Sequence, residues 1–131
     1  MGAAVEIQEQ TFQAAVEKPG ILILDFWAAW CGPCRAFAPI FEEAASKNPD
    51  IVFGKVDTEA QQGLAAAFQI RSIPTLMIFR DGILLFAQPG MLPKEALEEL
   101  IGKVKALDMD AVRKEIAQHE AGEAREASQT S

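Results

Sequence analysis

Both cysteines of this chain lie in the tetrapeptide Cys31-Gly32-Pro33-Cys34. With two residues between them, the thiols can close a small disulfide and reopen it as a dithiol. An apolar, strand-like run (21–30) precedes the tetrapeptide and a helical pattern follows it. The N-terminus of a helix favours a thiolate over a thiol, through its dipole and its backbone N–H groups. Because the thiolate is the attacking species, this placement predicts thiol–disulfide exchange.

A Cys-x-x-Cys pair can also be a static disulfide or part of a metal site. A static disulfide would contribute little chain-entropy stabilisation, because the loop that it closes is short. Zinc takes four ligands, whereas this sequence has no second cysteine pair and a single histidine, His119. A metal or iron–sulfur site shared between two molecules is the remaining alternative. For exchange, Cys31 is predicted to be exposed and to attack a target disulfide. Cys34 is predicted to be more buried and to resolve the mixed disulfide.

An acidic residue, Asp25, ends the apolar run 21–24, which lacks alternation and is typical of a strand buried on both faces. Removing a carboxylate from water is costly, so we expect burial to raise the pKa of Asp25.

Composition narrows the class of protein. The length of 131 residues suits one domain, and half of the residues are hydrophobic. The formal net charge of −7 argues against nucleic acid or an anionic membrane as a partner. The first ten residues lack the basic and apolar regions of a secretory signal, and no apolar run is long enough to span a bilayer. Two cysteines are too few for a disulfide framework, so we expect a cytoplasmic protein.

Hydrophobic periodicity predicts a strand, helix, strand, helix, strand, helix, β-hairpin and helix. Alternating units followed by an antiparallel pair are typical of a three-layer α/β domain with a mixed sheet. Start and turn signals include Thr11 as an N-cap, a capping box at 58–61 and a hairpin turn at Asp81-Gly82. The predicted strands are 5–7, 21–24, 51–56, 75–80 and 83–87, and the predicted helices are 11–16, 34–47, 58–68 and one after Pro93.

The character of the chain changes after Leu107. A thin apolar stripe, Met109, Val112 and Ile116, predicts one extra short helix, which either packs on the domain or contacts a partner. From Glu120 the composition is too polar to offset the entropy of ordering, which predicts a disordered tail. We therefore expect a domain at 1–107 and a C-terminal extension at 108–131.

Several separated stretches resemble the thioredoxin family over roughly residues 5–107. The resemblance implies a thioredoxin-like fold and a redox-active cysteine pair with no separate cofactor and no metal. Its Gly-Pro insert resembles the reducing members of the family. The stretches are DFWAAWCGPCR at 25–35, KVD at 55–57, IPT at 73–75, Gly82, Gly90 and PK at 93–94.

The resemblance also implies roles for further residues. Asp25 would move protons to and from Cys34, and Lys55 on the neighbouring strand would pair with Asp25. The Ile73–Pro74 bond would be cis. An apolar substrate-binding patch beside the cysteines would comprise Trp30, Gly32, Pro33, Ile73, Pro74, Gly90 and Met91.

The leading functional hypothesis is a monomeric protein-disulfide reductase that acts on disulfide-containing proteins and is recharged by a thioredoxin reductase. One alternative is a binding module or holdase that uses the same apolar surface, with redox chemistry secondary or absent. Another is an oxidase or isomerase, against which the Gly-Pro insert and the lack of a visible export signal argue.

Overall fold

The computed structural model describes residues 3–130, with side chains as far as Arg125. The order of elements predicted up to Leu107 is confirmed. In chain order the elements are β1 Val5–Glu6, α1 Glu9–Glu17, β2 Ile21–Trp27, α2 Gly32–Lys47, β3 Val52–Asp57, α3 Gln62–Ala67, β4 Thr75–Arg80, β5 Ile83–Pro89, α4 Lys94–Ala106 and α5 Met109–Thr130.

The strands form one mixed sheet in the order β1-β3-β2-β4-β5. Strands β1, β3 and β2 run parallel, whereas β4 is antiparallel to β2, and β5 is antiparallel to β4. The central position of β2 explains its uninterrupted apolar sequence, since both of its faces are buried. The predicted α/β class with a mixed sheet flanked by helices is therefore confirmed.

One face of the sheet packs against α1 and α3. Leu22, Leu24 and Phe26 of β2 point to this face and belong to a buried cluster. Phe12 of α1 and Phe68 at the end of α3 pack on that cluster, with ring centroids 5.3 Å apart. Because side chains alternate along a strand, the intervening residues of β2 point to the opposite face.

The opposite face is covered by α2. Phe53 of β3 meets Phe41 of α2, with ring centroids 5.3 Å apart. In the register of β2 and β3, Ile23 lies beside Phe53 and Asp25 lies beside Lys55. Asp25 and Lys55 therefore point to the same face as α2, the helix that carries Cys34.

The predicted hairpin turn joins β4 and β5. Asp81 and Gly82 have φ values of 52° and 80°, the positive values that a two-residue turn of this kind requires. The turn is held to the start of β2, because the Asp81 carboxylate accepts a hydrogen bond from the Gly20 N–H at 2.9 Å.

Three predicted helix starts were wrong. Helix α1 begins at Glu9, and Thr11 is its third residue, whose hydroxyl accepts a hydrogen bond from the Gln8 N–H at 3.1 Å. Helix α2 begins at Gly32 rather than Cys34, because Cys31 is the N-cap. Helix α3 begins at Gln62, since the hydroxyl of Thr58 donates to the Trp27 carbonyl instead of capping a helix.

The chain divides into two compact units, residues 1–100 and 101–131. In the second unit, Met109 is buried and Ile116 is 37% exposed. Helix α5 continues to Thr130, so it is longer than the short helix predicted and includes most of the segment that was expected to be disordered. Its many Ala, Glu and Gln residues are good helix formers. Ser131 of that segment lies outside the described residues.

Between residues 3 and 130, no helix has the length and apolar character that a membrane span requires.

Candidate functional site

The two cysteines form a disulfide at the N-terminus of α2, with Cα atoms 5.2 Å apart. Cys31 is the N-cap of the helix, and its Sγ accepts a hydrogen bond from the Cys34 N–H at 3.1 Å. Backbone N–H groups at this helix end stabilise negative charge on the same sulfur when the disulfide is reduced. The cysteine pair lies at the strand-to-helix corner that the sequence predicts.

The predicted difference in exposure between the two sulfurs was wrong. Cys31 is 4% exposed and Cys34 is 3% exposed, so both are buried in the disulfide form. Cys31 is covered because its N-cap position turns the sulfur toward the helix, and because the carbonyl oxygen of Ile73 lies 3.6 Å from its Sγ. An attacking sulfur must therefore approach across the surface of the neighbouring residues.

One loop from the C-terminal half of the sheet, at Ile73 and Pro74, reaches the disulfide, and the loop at Gly90 contacts that first loop. The Ile73–Pro74 peptide bond is cis, as the resemblance implied. The N–H of Gly90 donates to the Pro74 carbonyl at 2.8 Å, and Gly90 has a φ of 101°, which favours glycine. This contact places Met91 next to the loop that touches Cys31.

Trp30 immediately precedes the cysteine pair and is 66% exposed. Its indole Nε1–H donates to the carboxylate of Glu59 at 2.8 Å. Glu59 lies in a turn held by the Asp57 carboxylate, which accepts hydrogen bonds from the N–H groups of Glu59 and Ala60. Sequence reasoning missed Glu59, because the capping-box interpretation of 58–61 assigned it to a helix.

Glu59→Ala is expected to release Trp30 and to lower kcat/KM for a protein disulfide about two- to fivefold, since it removes one exposed, charge-assisted hydrogen bond. Glu59→Gln is the matched control, because its amide oxygen can still accept from the indole. Insulin reduction and tryptophan fluorescence measure the two effects. An alanine variant with the kinetics of the glutamine variant would show that the contact does not position Trp30.

Arg35, in the first turn of α2, also holds the loop before the cysteines. Its Nη1 donates to the Ala29 carbonyl at 2.8 Å. The segment that leads into Cys31 is therefore fixed from both sides, by Arg35 at Ala29 and by Glu59 at Trp30.

Asp25 is 1% exposed, and neither of its carboxylate oxygens has a hydrogen-bond partner among the described residues. Desolvation raises the pKa of Asp25 to about 7, and the charge of Lys55 opposes that rise. The expected direction is confirmed. A buried carboxyl that gains and loses its proton near neutral pH is suited to proton transfer.

Lys55 does not form the direct pair with Asp25 that the resemblance implied. Its ammonium lies over the ring of Trp27, 4.7 Å from the centroid, in a cation–π contact. Lys55 thus acts on Asp25 through its charge and not through a hydrogen bond.

Metal chemistry has no visible support at this site. Among the described residues, no group of three His, Cys, Asp or Glu side chains could hold a metal ion. The arrangement consists of a reversible disulfide, backbone donors at a helix N-terminus and a buried carboxyl on the face that the helix covers. Such a set can carry out nucleophilic exchange between sulfurs.

Comparisons with known proteins agree with this chemistry. The thioredoxin family model matches residues 3–103. The Streptomyces coelicolor protein named "Putative thioredoxin 2" is 54% identical over 92% of this chain and 90% of its own length. Thioredoxin from Bacillus subtilis is 39% identical over 77% of this chain and 97% of its own length.

Solved structures show the same fold. A single-substitution variant of thioredoxin from Halobacterium salinarum NRC-1 superimposes with a TM-score of 0.73, at 31% identity over 82% of this chain and 96% of that chain. Since the family model covers most of the chain and the relatives span nearly their whole length, this chain belongs to the thioredoxin family of dithiol–disulfide oxidoreductases.

Proposed function

We propose that Cys31 is the attacking cysteine and Cys34 the resolving cysteine in the reduction of protein disulfides. The observation that carries this assignment is the hydrogen bond from the Cys34 N–H to the Cys31 Sγ at the N-terminus of α2. In the reduced protein that bond stabilises a thiolate on Cys31, the sulfur nearer the surface loops.

The reaction takes two exchange steps. The Cys31 thiolate attacks one sulfur of the substrate disulfide, so that a mixed disulfide forms and the other substrate sulfur leaves as a thiolate, which takes up a proton. Cys34 then loses its proton and attacks the Cys31 Sγ, which releases the first substrate sulfur. The substrate gains two electrons and two protons, and Cys31 and Cys34 end as a disulfide.

Asp25 is proposed to accept the proton of Cys34 in the second step, directly or through water. Its pKa of about 7 leaves it partly ionised at neutral pH, and it points to the face covered by α2. Lys55 tunes this group, because a nearby cation favours the carboxylate.

Substrate proteins are proposed to dock on the apolar surface around the disulfide. We call this the docking surface. Its exposed large side chains, Trp30 and Met91, offer apolar area, and the Ile73 backbone offers a site for pairing with an extended segment. It comprises Trp30, Gly32, Pro33, Ile73, Pro74, Gly90 and Met91.

A thioredoxin reductase is the proposed electron donor, and disulfide-containing proteins are the proposed acceptors, with no bound cofactor beyond the cysteine pair. We further propose a cytoplasmic monomer. The family assignment supports the two classes of partner.

The test couples the oxidised protein to NADPH and a bacterial thioredoxin reductase, with insulin as the acceptor. NADPH should be consumed in proportion to the insulin disulfides reduced. Equilibration with a glutathione buffer measures the potential of the pair. A potential near that of an oxidant such as DsbA, about −120 mV, would overturn the reductase assignment in favour of an oxidase.

We propose that the active domain ends at Leu107, because all the site residues lie between Asp25 and Met91. Removal of 108–131 is expected to leave the rate of insulin reduction unchanged. Sedimentation of the full-length and shortened chains then shows whether the extension contacts another copy. Loss of reduction by a shortened chain that keeps its circular dichroism spectrum would contradict this boundary.

A further inference from the structure

The docking surface proposed above carries one exposed thioether, that of Met91. Met91 is 39% exposed and lines a hollow of about 130 Å³ with Leu76, Phe86, Gln88, Pro89, Gly90 and Leu92. The other methionines whose exposure the structure describes, Met77 and Met109, are 4% and 7% exposed.

Two short contacts join the loop that carries this methionine to the disulfide. Gly90, its neighbour in the chain, donates to the Pro74 carbonyl at 2.8 Å. The residue before Pro74 is Ile73, whose carbonyl oxygen lies 3.6 Å from the Cys31 Sγ. The loop of Gly90 and Met91 is therefore joined to the redox pair through the loop of Ile73 and Pro74, on the docking surface proposed above.

In the oxidised protein, Met91 is also the accessible sulfur on this side. Cys31 and Cys34 are both buried and joined to each other. A two-electron oxidant such as hydrogen peroxide acts on exposed sulfur. The thioether of Met91 thus meets the oxidant while the cysteines are protected.

We propose that Met91 is a modification site, at which oxidation to the sulfoxide by a peroxide weakens the docking of protein substrates. The proposal rests on the docking surface assigned above. The sulfur of Met91 attacks one oxygen of the peroxide, the O–O bond breaks and an S–O bond forms. The sulfur loses two electrons, the peroxide gains them, and water is released. Methionine sulfoxide reductases reverse the change.

The physical consequence is a change in polarity within an apolar contact. The thioether packs against apolar groups, whereas the sulfoxide is polar and must give up hydrogen bonds to water when a partner covers it. Protein substrates need that contact. Small disulfides reach the sulfurs without covering the surface, so their reduction should not change.

The experiment treats the full-length oxidised protein with hydrogen peroxide, removes the peroxide with catalase, and maps oxidation by mass spectrometry. Trypsin places the four methionines in four different peptides, and Met91 lies in the peptide 81–94. Met91 is expected to oxidise about tenfold faster than Met77 and Met109, since susceptibility follows exposure. Equal rates at the three methionines would overturn the proposal.

The activity of the same sample shows whether oxidation of Met91 weakens the docking of protein substrates. The kcat/KM for insulin is expected to fall about fivefold, while reduction of a small aromatic disulfide stays constant, and methionine sulfoxide reductase restores the loss. In Met91→Leu, which is similar in volume and has no sulfur, the ratio of treated to untreated activity should be one. An equal loss in Met91→Leu would overturn the assignment to Met91.

A failure of the proposed function gives a different pattern. An untreated protein that cannot reduce insulin would overturn the docking surface, and with it the consequence of oxidation. The peptide map does not depend on activity, so it would still show whether Met91 is the preferred site.

Discussion

Cys31→Ser is expected to reduce insulin no faster than dithiothreitol alone, because the hydroxyl cannot form the mixed disulfide on which exchange depends. The fold should persist. Serine is among the preferred N-cap residues, and its Oγ can accept the hydrogen bond that the Cys34 N–H now donates to sulfur. Loss of activity would then report on chemistry and not on α2.

Cys34→Ser is the matched control. It keeps the attacking thiolate and the N-cap, but it lacks the sulfur that resolves the intermediate. A single exchange should therefore proceed and stop, with insulin chains held on Cys31 as a stable mixed disulfide. Electrophoresis without reductant detects this adduct, and dithiothreitol releases it. Stability comparisons for both variants should use the reduced wild-type protein, because neither variant can form the disulfide.

The pair of variants also separates the two classes of function. A binding module or holdase that uses Trp30 and Met91 would keep its ability to suppress aggregation of a cysteine-free client in Cys31→Ser. A reductase would lose insulin reduction in the same variant. Full insulin reduction by Cys31→Ser would contradict the assignment of the attacking sulfur. Equal amounts of the mixed disulfide with insulin in Cys31→Ser and Cys34→Ser would contradict the order of the two steps.

Much of the site could be predicted from the sequence because its parts are local. The cysteine spacing, the strand before the pair and the helix after it involve neighbouring residues. The buried, unalternating run in β2 was enough to predict that Asp25 is desolvated, and the structure shows it 1% exposed. The Asp81-Gly82 turn could also be predicted, because the backbone conformation of such a turn favours particular residues.

The errors at the candidate site came from contacts between residues far apart in the chain. The burial of Cys31 depends partly on Ile73, 42 residues later, and no periodicity encodes that approach. Glu59 contacts Trp30 across 29 residues. The Thr58 hydroxyl, which a local pattern assigned to a capping box, bonds to the end of β2 instead. Local rules placed the sulfurs at the right corner, but tertiary contacts determine how a partner reaches them.

Asp25→Asn is expected to make the protein more stable above neutral pH and slower in turnover. Burial raises the pKa of Asp25 from 3.8 to about 7, so the folded state disfavours the carboxylate. Between those values the folded protein holds a proton that the unfolded chain has lost, and stability falls as pH rises. Above about pH 7 this loss in the free energy of unfolding is complete. It amounts to at most about 4 kcal/mol, because each unit of pKa difference corresponds to about 1.4 kcal/mol.

The variant removes this dependence. Asparagine has no charged form, although its amide also lacks partners at this position, so the net gain above pH 7 should be about 1–3 kcal/mol. The difference between variant and wild type should change by about 4 kcal/mol in total, so the gain should shrink below pH 7 and become a loss of about 1–3 kcal/mol near pH 4. Denaturant unfolding of the reduced proteins at several pH values measures it, and subtracting the two curves cancels the titration of every other group. A difference that stays constant with pH would contradict the raised pKa of Asp25.

Turnover tests the same group as a proton acceptor. Without the carboxylate, Cys34 must lose its proton to water, so resolution of the mixed disulfide should slow on the order of tenfold to 100-fold at neutral pH. The effect should diminish at alkaline pH, where Cys34 ionises without help. Lys55→Gln tests the same group while keeping the carboxyl. Removing the cation raises the pKa of Asp25 further, so the pH profile of mixed-disulfide resolution in this variant should shift to higher pH than in the wild type. A profile unmoved by either substitution would show that Asp25 is buried for reasons unrelated to the exchange.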